Sequence, residues 1–191
     1  IHIKGSDDAR IELESQITNA FRLNETVVVP SSRSDTPAMK KRVLGKAGFE
    51  LLKRIIKDGD VVGFAWGTTL ASLAEEVSEH QKTDVRFGPL VGGPGQVDVK
   101  HHVNTIVYNV ANAFNGKVYF IDAAAIVPTK ETRDDIMSSG YMQEIQALWE
   151  KLSIAVVGIG APLSSSNLIW TGFFGEREIE ELSTHGAAGD I

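Results

Sequence analysis

Leu13, Ile17, Ala20 and Phe21 recur at the spacing of one helical face, so the chain is expected to open with a helix over about 11–23. Val27, Val28 and Val29, β-branched and closed by Pro30, predict a short strand. Asp35-Thr36-Pro37 reads as a helix start, with Thr36 as cap and Pro37 in the first turn. That helix is expected to run to about Lys57, to bury Val43, Leu44, Ala47, Leu51, Leu52 and Ile55, and to stop at Gly59. The pattern then changes. Val61-Val62-Gly63-Phe64-Ala65 is apolar without alternation, as a strand buried on both faces is. Gly67-Thr68-Thr69 is a tight loop, and Leu70, Leu73, Ala74 and Val77 mark the helix after it. Val85–Val91 predicts a second strand, followed by Gly92-Gly93-Pro94-Gly95 and a helix carrying Val103, Ile106, Val107, Val110 and Phe114. Further strands are expected at Val118–Ile121 and Ile154–Val157, with helices near 131–138, 141–151 and 175–183.

Strands alternating with helices imply an α/β fold with a mainly parallel sheet flanked by helices. Ligands of such sheets bind at the carboxyl ends of the strands, which selects the loops at 66–69, 92–98, 122–125 and 158–161. No linker or low-complexity segment divides the 191 residues, so one domain is expected. The last residues, Gly189-Asp190-Ile191, offer no natural end to a fold, and a domain truncated at its C-terminus is expected.

Composition narrows the function. The chain is 42% hydrophobic and 23% charged, ordinary for a globular protein. No apolar run approaches the roughly 20 residues that span a bilayer, no signal-peptide pattern opens the chain, and there is no Cys. A cytosolic protein without disulfide or thiolate chemistry is expected. The net charge of −6 repels phosphate backbones. The densest basic run is Lys40, Lys41, Arg42, Lys46, Lys53, Arg54 and Lys57. At helical spacing it reads as the solvated face of an amphipathic helix rather than a DNA-binding surface.

The loops at the strand ends carry the candidate chemistry. Gly67 lets a ligand approach the backbone, the following helix start offers free N–H groups, and the hydroxyls of Thr68 and Thr69 add donors. A phosphate cradle and a plain threonine helix cap both fit this spacing, but a P-loop does not, since no G-K-[ST] follows. The loops holding Gly92, Gly93 and Gly95 and holding Gly158 and Gly160 both lack the third glycine of a dinucleotide fingerprint, so no nicotinamide cofactor is expected. Gln96, Asp98, Lys100, His101, His102 and Asn104 suit sugar hydroxyls and phosphate, or equally the capping of a helix beginning near residue 101. His101 and His102 are adjacent and diverge on a helix, and no metal site is expected. Asp122, directly after the third strand, suits a hydroxyl acceptor, a base or a turn cap. Ser164, Ser165 and Ser166 lack the G-x-S-x-G context of a hydrolase nucleophile.

Taken in order, several short motifs point to a family. They are Gly67-Thr68-Thr69-Leu70, Leu90-Val91-Gly92-Gly93, Asn104 and Val157-Gly158-Ile159-Gly160-Ala161, then Ser165, Gly172, the acidic helix 176–182 and Gly186-Ala187-Ala188-Gly189-Asp190-Ile191. The chain resembles, from about residue 11 to its end, the effector-binding domain of the SorC family of bacterial sugar-responsive transcription regulators. The resemblance implies a Rossmann-like fold related to glucosamine-6-phosphate deaminase and ribose-5-phosphate isomerase, and a phosphorylated sugar as ligand. It also implies a homo-oligomer, a dimer or tetramer, whose contact with DNA is made by an N-terminal helix-turn-helix absent from this sequence. It gives the Gly67-Thr68-Thr69 loop the phosphate role and brings Asp190 into the site. Some members that bind doubly phosphorylated sugars carry a basic residue beside the Gly-Gly pair; Val91 stands there, which favours a monophosphate.

A ligand sensor is therefore expected rather than an enzyme. The competing reading is a sugar-phosphate isomerase or deaminase on the same scaffold, which could enlist Asp122, His101 and His102, but no catalytic motif surrounds them. No cofactor is expected.

Overall fold

The computed structural model describes residues 4–160 and 175–189. Its elements are α1 (Lys4–Phe21), α2 (Pro37–Ile55), β1 (Val61–Phe64), α3 (Thr68–Glu75), β2 (Arg86–Pro89), α4 (Val103–Ala113), β3 (Lys117–Val118), α5 (Lys130–Ser138), α6 (Gly140–Trp149), β4 (Ile154–Val156) and α7 (Glu176–Thr184). The four strands form one sheet, all pairs parallel, in the order β3-β2-β1-β4. Val61–Phe64 pairs with Arg86–Pro89 on one side and, from Val62, with Ile154–Val156 on the other. The expected α/β architecture with a mainly parallel sheet is therefore the observed one.

Both faces of the sheet are covered. Side chains alternate along a strand, so Val62, Phe64 and Phe87 point into the main core with Phe49 and Leu52 of α2, Leu70 and Leu73 of α3, and Ile106, Val107 and Val110 of α4. Phe114 closes that core, its ring 5.6 Å from those of both Phe49 and Phe87. The intervening Gly88 points the other way, toward Leu148 of α6. A smaller cluster of Ile121, Met142 and Ile145 lies on this side, where the Trp149 indole N–H donates to the Pro89 carbonyl at 2.8 Å.

Three expectations need correction. Val27–Val29 is not a strand. The Val28 N–H donates to the Glu14 carboxylate of α1 at 2.8 Å, so this segment is tied to a helix side chain and not to a sheet edge. The third strand is only Lys117–Val118, although the Tyr119 N–H still donates to the Phe87 carbonyl at 2.8 Å. The buried stripe of α2 is also displaced. Gly45, Phe49 and Leu52 are buried, with Ile56 just past the helix, whereas Val43 and Leu44 are 45% and 46% exposed and Ile55 lies outward too. Gly45 decides this rotation. A Cβ there would stand 2.7 Å from the backbone of Ser72 and Leu73, so the glycine face is the one that reaches α3. The expected helix start holds: the Thr36 side chain accepts from the Met39 N–H, and Pro37 follows it in the first turn.

Candidate functional site

The strand order places the site. From β1 the chain steps outward through β2 to β3, then returns to the other side of β1 with β4. The loops leaving β1 and β4 consequently diverge, and the gap between them is where open parallel sheets bind ligands. A cleft of about 280 Å³ opens there. Trp66-Gly67-Thr68-Thr69 comes from β1, Leu90-Val91 from beyond β2, Ala125-Ile126 from beyond β3 and Val157-Gly158-Ile159-Gly160 from β4.

Gly67 is the N-cap of α3, with φ 147°, a conformation that side chains with a Cβ resist. It has no side chain to cap the helix, and Thr68 and Thr69 are already the first helical residues. Neither threonine therefore serves as N-cap. The first N–H groups of α3 and both hydroxyls are left at the cleft wall, where a helix start concentrates positive potential. Thr68 Oγ1 accepts from Lys41 Nζ at 2.7 Å. Lys41 belongs to the basic run read as a solvated face, yet it is half-buried, because it stands four residues before Gly45 on the stripe that α2 turns toward α3.

The Gly-Gly pair packs the loops after β2 and β3 against each other. Gly93 N–H donates to the Ala123 carbonyl at 2.8 Å, and Ala125 N–H donates to the Gly93 carbonyl at 2.9 Å, which prolongs the β2–β3 pairing beyond the strands. A Cβ on Gly92 would meet the backbone of Ala123 and Ala124 at 2.6 Å. One on Gly93 would meet His102 Nε2 at 2.5 Å. By contrast, a Cβ on Gly158 would meet nothing within 4 Å.

Gly93, Asn104 and Asp122 line a second hollow of about 240 Å³ with Gly95, His102 and Ile121. The Asn104 amide is engaged there. Its Oδ1 accepts from the Ile121 N–H and its Nδ2 donates to the Ile121 carbonyl, both at 3.1 Å, which fixes the strand-end loop. His102 caps α4, its Nδ1 accepting from the Asn104 N–H at 3.2 Å. Asp98 caps the short 3₁₀ turn Val99–His101 by accepting from the Lys100 N–H. The helix-capping alternative thus accounts for much of the 96–104 cluster. The Asp122 N–H bonds to the Tyr141 hydroxyl, which itself donates to the Phe120 carbonyl at 3.0 Å; burial of the phenol pushes its pKa up. The Asp122 side chain is exposed, and Gln96 is exposed and lines neither hollow. His101 is held below the usual imidazole range, by burial first and then by the neighbouring Lys100. Asp190, Ser164–Ser166 and Gly172 lie outside the described residues.

The selected loops contain two apolar walls of the main cleft, Trp66 and Ile159, but the sequence reading gave these side chains no role and missed Leu90, Ile126 and Lys41. For Lys41 the available signal was Gly45 and Gly48, two glycines that mark the close-packing face of a helix on which Lys41 also falls.

Comparison with known proteins assigns the chain. The model of the Sugar-bind family, a sugar-binding domain, matches residues 8–191. The sorbitol operon regulator of Klebsiella pneumoniae is 33% identical over 181 residues, 94% of this chain and 57% of the regulator. The chain belongs to the SorC family of transcription regulators. The crystal structure of the full-length Klebsiella SorC superposes with a TM-score of 0.89 at 31% identity, covering all of this chain and 62% of that one. The deoxyribonucleoside regulator of Bacillus subtilis is 25% identical across 94% of this chain and 56% of its own length. This SorC-family chain thus spans about three-fifths of the relatives it matches, and it corresponds to their sugar-binding domain. Among the described residues no helix is long and apolar enough to cross a membrane.

Proposed function

We propose that this domain senses a singly phosphorylated sugar, without turning it over, and that occupancy controls oligomerisation and DNA binding of the full-length cytoplasmic regulator. The observation that carries the reading is the uncapped start of α3. Gly67, Thr68 and Thr69 present N–H groups and hydroxyls to a cleft at the β1–β4 switch point, the chemistry that holds a phosphate. The apolar Val91 and Ile126 on the same cleft leave a sugar skeleton room but give a second phosphate no cation. No described residue lining this cleft carries a carboxylate or an imidazole, so none of these residues could serve as the general base of an isomerase or deaminase. Of Asp122, His101 and His102, the groups such an enzyme would enlist, Asp122 and His102 line the other hollow and His101 lines neither. The remaining site residues carried into this reading are Gly92, Gly93, Gln96, Asn104, Asp122, Gly158, Gly160 and Asp190, with Gly92, Gly93 and Asn104 shaping the loops and not touching the ligand.

A thermal-shift screen tests the reading, with phosphates of sorbitol and deoxyribose, the compounds suggested by the relatives' names, beside the same compounds without phosphate. A ligand at 100 times its dissociation constant adds about 2.7 kcal/mol of stability. Hydrogen bonds to a charged group contribute about 1.5–3 kcal/mol each, so Thr68→Ala with Thr69→Ala is expected to weaken the best phosphate at least about a hundredfold. Equal binding of phosphorylated and free compounds, or full affinity in the double variant, would overturn the phosphate assignment. Product formation from the best binder would restore the enzyme reading.

A further inference from the structure

The ammonium of Lys41 meets a neutral hydroxyl, Thr68 Oγ1, at 2.7 Å, and no ion pair with a described carboxylate accompanies it. The placement is built. Gly45, one turn along α2, brings the two helices so close that a Cβ would meet the Ser72 and Leu73 backbone at 2.7 Å, and this contact carries Lys41 up to the first residue of α3. A positive side chain beside the positive end of a helix is repelled by it. In a free domain that arrangement opposes folding, and it becomes favourable when an anion occupies the cleft that Thr68 lines. The direction of the hydrogen bond adds to this. An ammonium only donates, so the Thr68 oxygen accepts and its own hydrogen remains free to be donated into the cleft that Thr68 lines. The cation also polarises that O–H bond.

We propose that Lys41 is a positioning and selectivity residue of the cleft: it fixes the Thr68 hydroxyl as a donor and supplies the positive charge by which the site prefers an anion to a neutral molecule of the same shape. The inference rests on the phosphate reading above. It makes α2, which precedes the whole sheet in sequence, part of the ligand site, and it assigns the charge selectivity to a residue outside the Gly67-Thr68-Thr69 loop.

Calorimetric titration with inorganic phosphate tests it on the 191-residue chain, its Lys41→Met and Lys41→Arg variants, and the Thr68→Val Thr69→Val double variant. One hydrogen bond to a charged group is equivalent to roughly tenfold or more in affinity, so Lys41→Met is expected to bind phosphate at least about tenfold more weakly and Lys41→Arg to recover most of the loss. The ligand-free melting temperature of Lys41→Met should equal or exceed that of the parent, because the repulsion at the helix start is relieved. Phosphate binding that is absent in the parent, or undiminished in the threonine double variant, overturns the phosphate reading and this inference with it. Binding that fails in the threonine variant but persists unchanged in Lys41→Met overturns the role of Lys41 alone. A lowered melting temperature in Lys41→Met without rescue by Arg makes the residue a packing element and overturns it equally.

Discussion

Asn104 offers a sharp check on the boundary between ligand contact and scaffold. Its amide makes two hydrogen bonds to one residue, accepting from the Ile121 N–H and donating to the Ile121 carbonyl at 3.1 Å each. Ile121 is only 3% exposed. Asn104→Ala therefore leaves a main-chain donor and acceptor unpaired in a buried setting. Each such group costs about 1–3 kcal/mol, and because Asn104 itself is half-buried, water replaces part of the loss; about 2–4 kcal/mol in total is expected. Urea unfolding followed by circular dichroism measures this as a lowered midpoint at unchanged slope. Asn104→Asp separates the two bonds. One carboxylate oxygen still accepts from the Ile121 N–H, but the other faces the Ile121 carbonyl, where two acceptors meet. That contact disfavours the charged form, so the folded pKa of the new Asp lies above its unfolded value. The protonated acid restores the donor. Its stabilising contribution is thus present below the unfolded pKa and is lost as pH rises through the folded pKa. The stability gap between this variant and the parent should be narrower at about pH 4 than at neutrality. An alanine variant within about 0.5 kcal/mol of the parent, or an Asp variant whose gap widens toward acid, would refute the bridging role and return Asn104 to the candidate ligand contacts.

Gly45→Ala should destabilise by about 1–3 kcal/mol, although Ala is the better helix former, because the added carbon meets α3 backbone and not a flexible side chain. It should also weaken phosphate binding by moving Lys41 off Thr68; a more stable variant in urea unfolding contradicts the close-packing argument. His101 is held below the usual imidazole range, by burial before Lys100, so the fold favours its neutral form. That contribution is present above the unfolded pKa and is lost as pH falls through the folded value. His101→Gln is therefore expected to flatten the fall in stability between about pH 7 and 5, and an unchanged pH profile of the melting temperature refutes it.

The sheet was legible in the sequence because a strand buried on both faces needs a run of apolar residues and a parallel partner needs a crossover helix. Val61–Phe64 and the helices at 68–75 and 103–113 follow directly from those two demands. The loop after β1 was legible too as a tight turn, since Gly67-Thr68-Thr69 separates an apolar run from a helical pattern, but not that the helix cap is Gly67 and neither threonine. Register on the surface was not. On α2 the apolar residues extend around more than one face; Leu52 is buried as expected, but a periodicity argument cannot choose between Val43-Leu44 and Phe49 when both rows are hydrophobic. The choice was made by Gly45, whose lack of a side chain sets the approach of a helix distant in sequence. Val27–Val29 failed for a related reason. Three β-branched residues describe a preference, but a strand also needs a neighbouring edge, and here the Glu14 carboxylate takes the Val28 N–H. Lys41 was hidden by its company: among five other basic residues on one helix, spacing alone marks none as special, and only the tertiary contact with Thr68 does so.

The separation of the two hollows follows from how the Gly92-Gly93 pair is used. Gly93 pairs with Ala123 and Ala125 through the backbone, and the carboxyl end of the sheet is prolonged by one parallel bridge. The seam puts Leu90-Val91 and Ala125-Ile126 on the side of α3, and His102, Asn104 and Asp122 on the other. Asn104 and His102 then reinforce the seam from α4, the first by bridging Ile121 and the second by capping its own helix beneath Gly93. A mostly apolar cleft with one polar end is the result. Its polar end is the start of α3 with Lys41 behind it, and its opposite wall is the end of β4, joined to the sheet by only three residue pairs with β1. A ligand lying between them touches the loops that leave β1 and β4, so its binding energy is delivered to both sides of that short pairing.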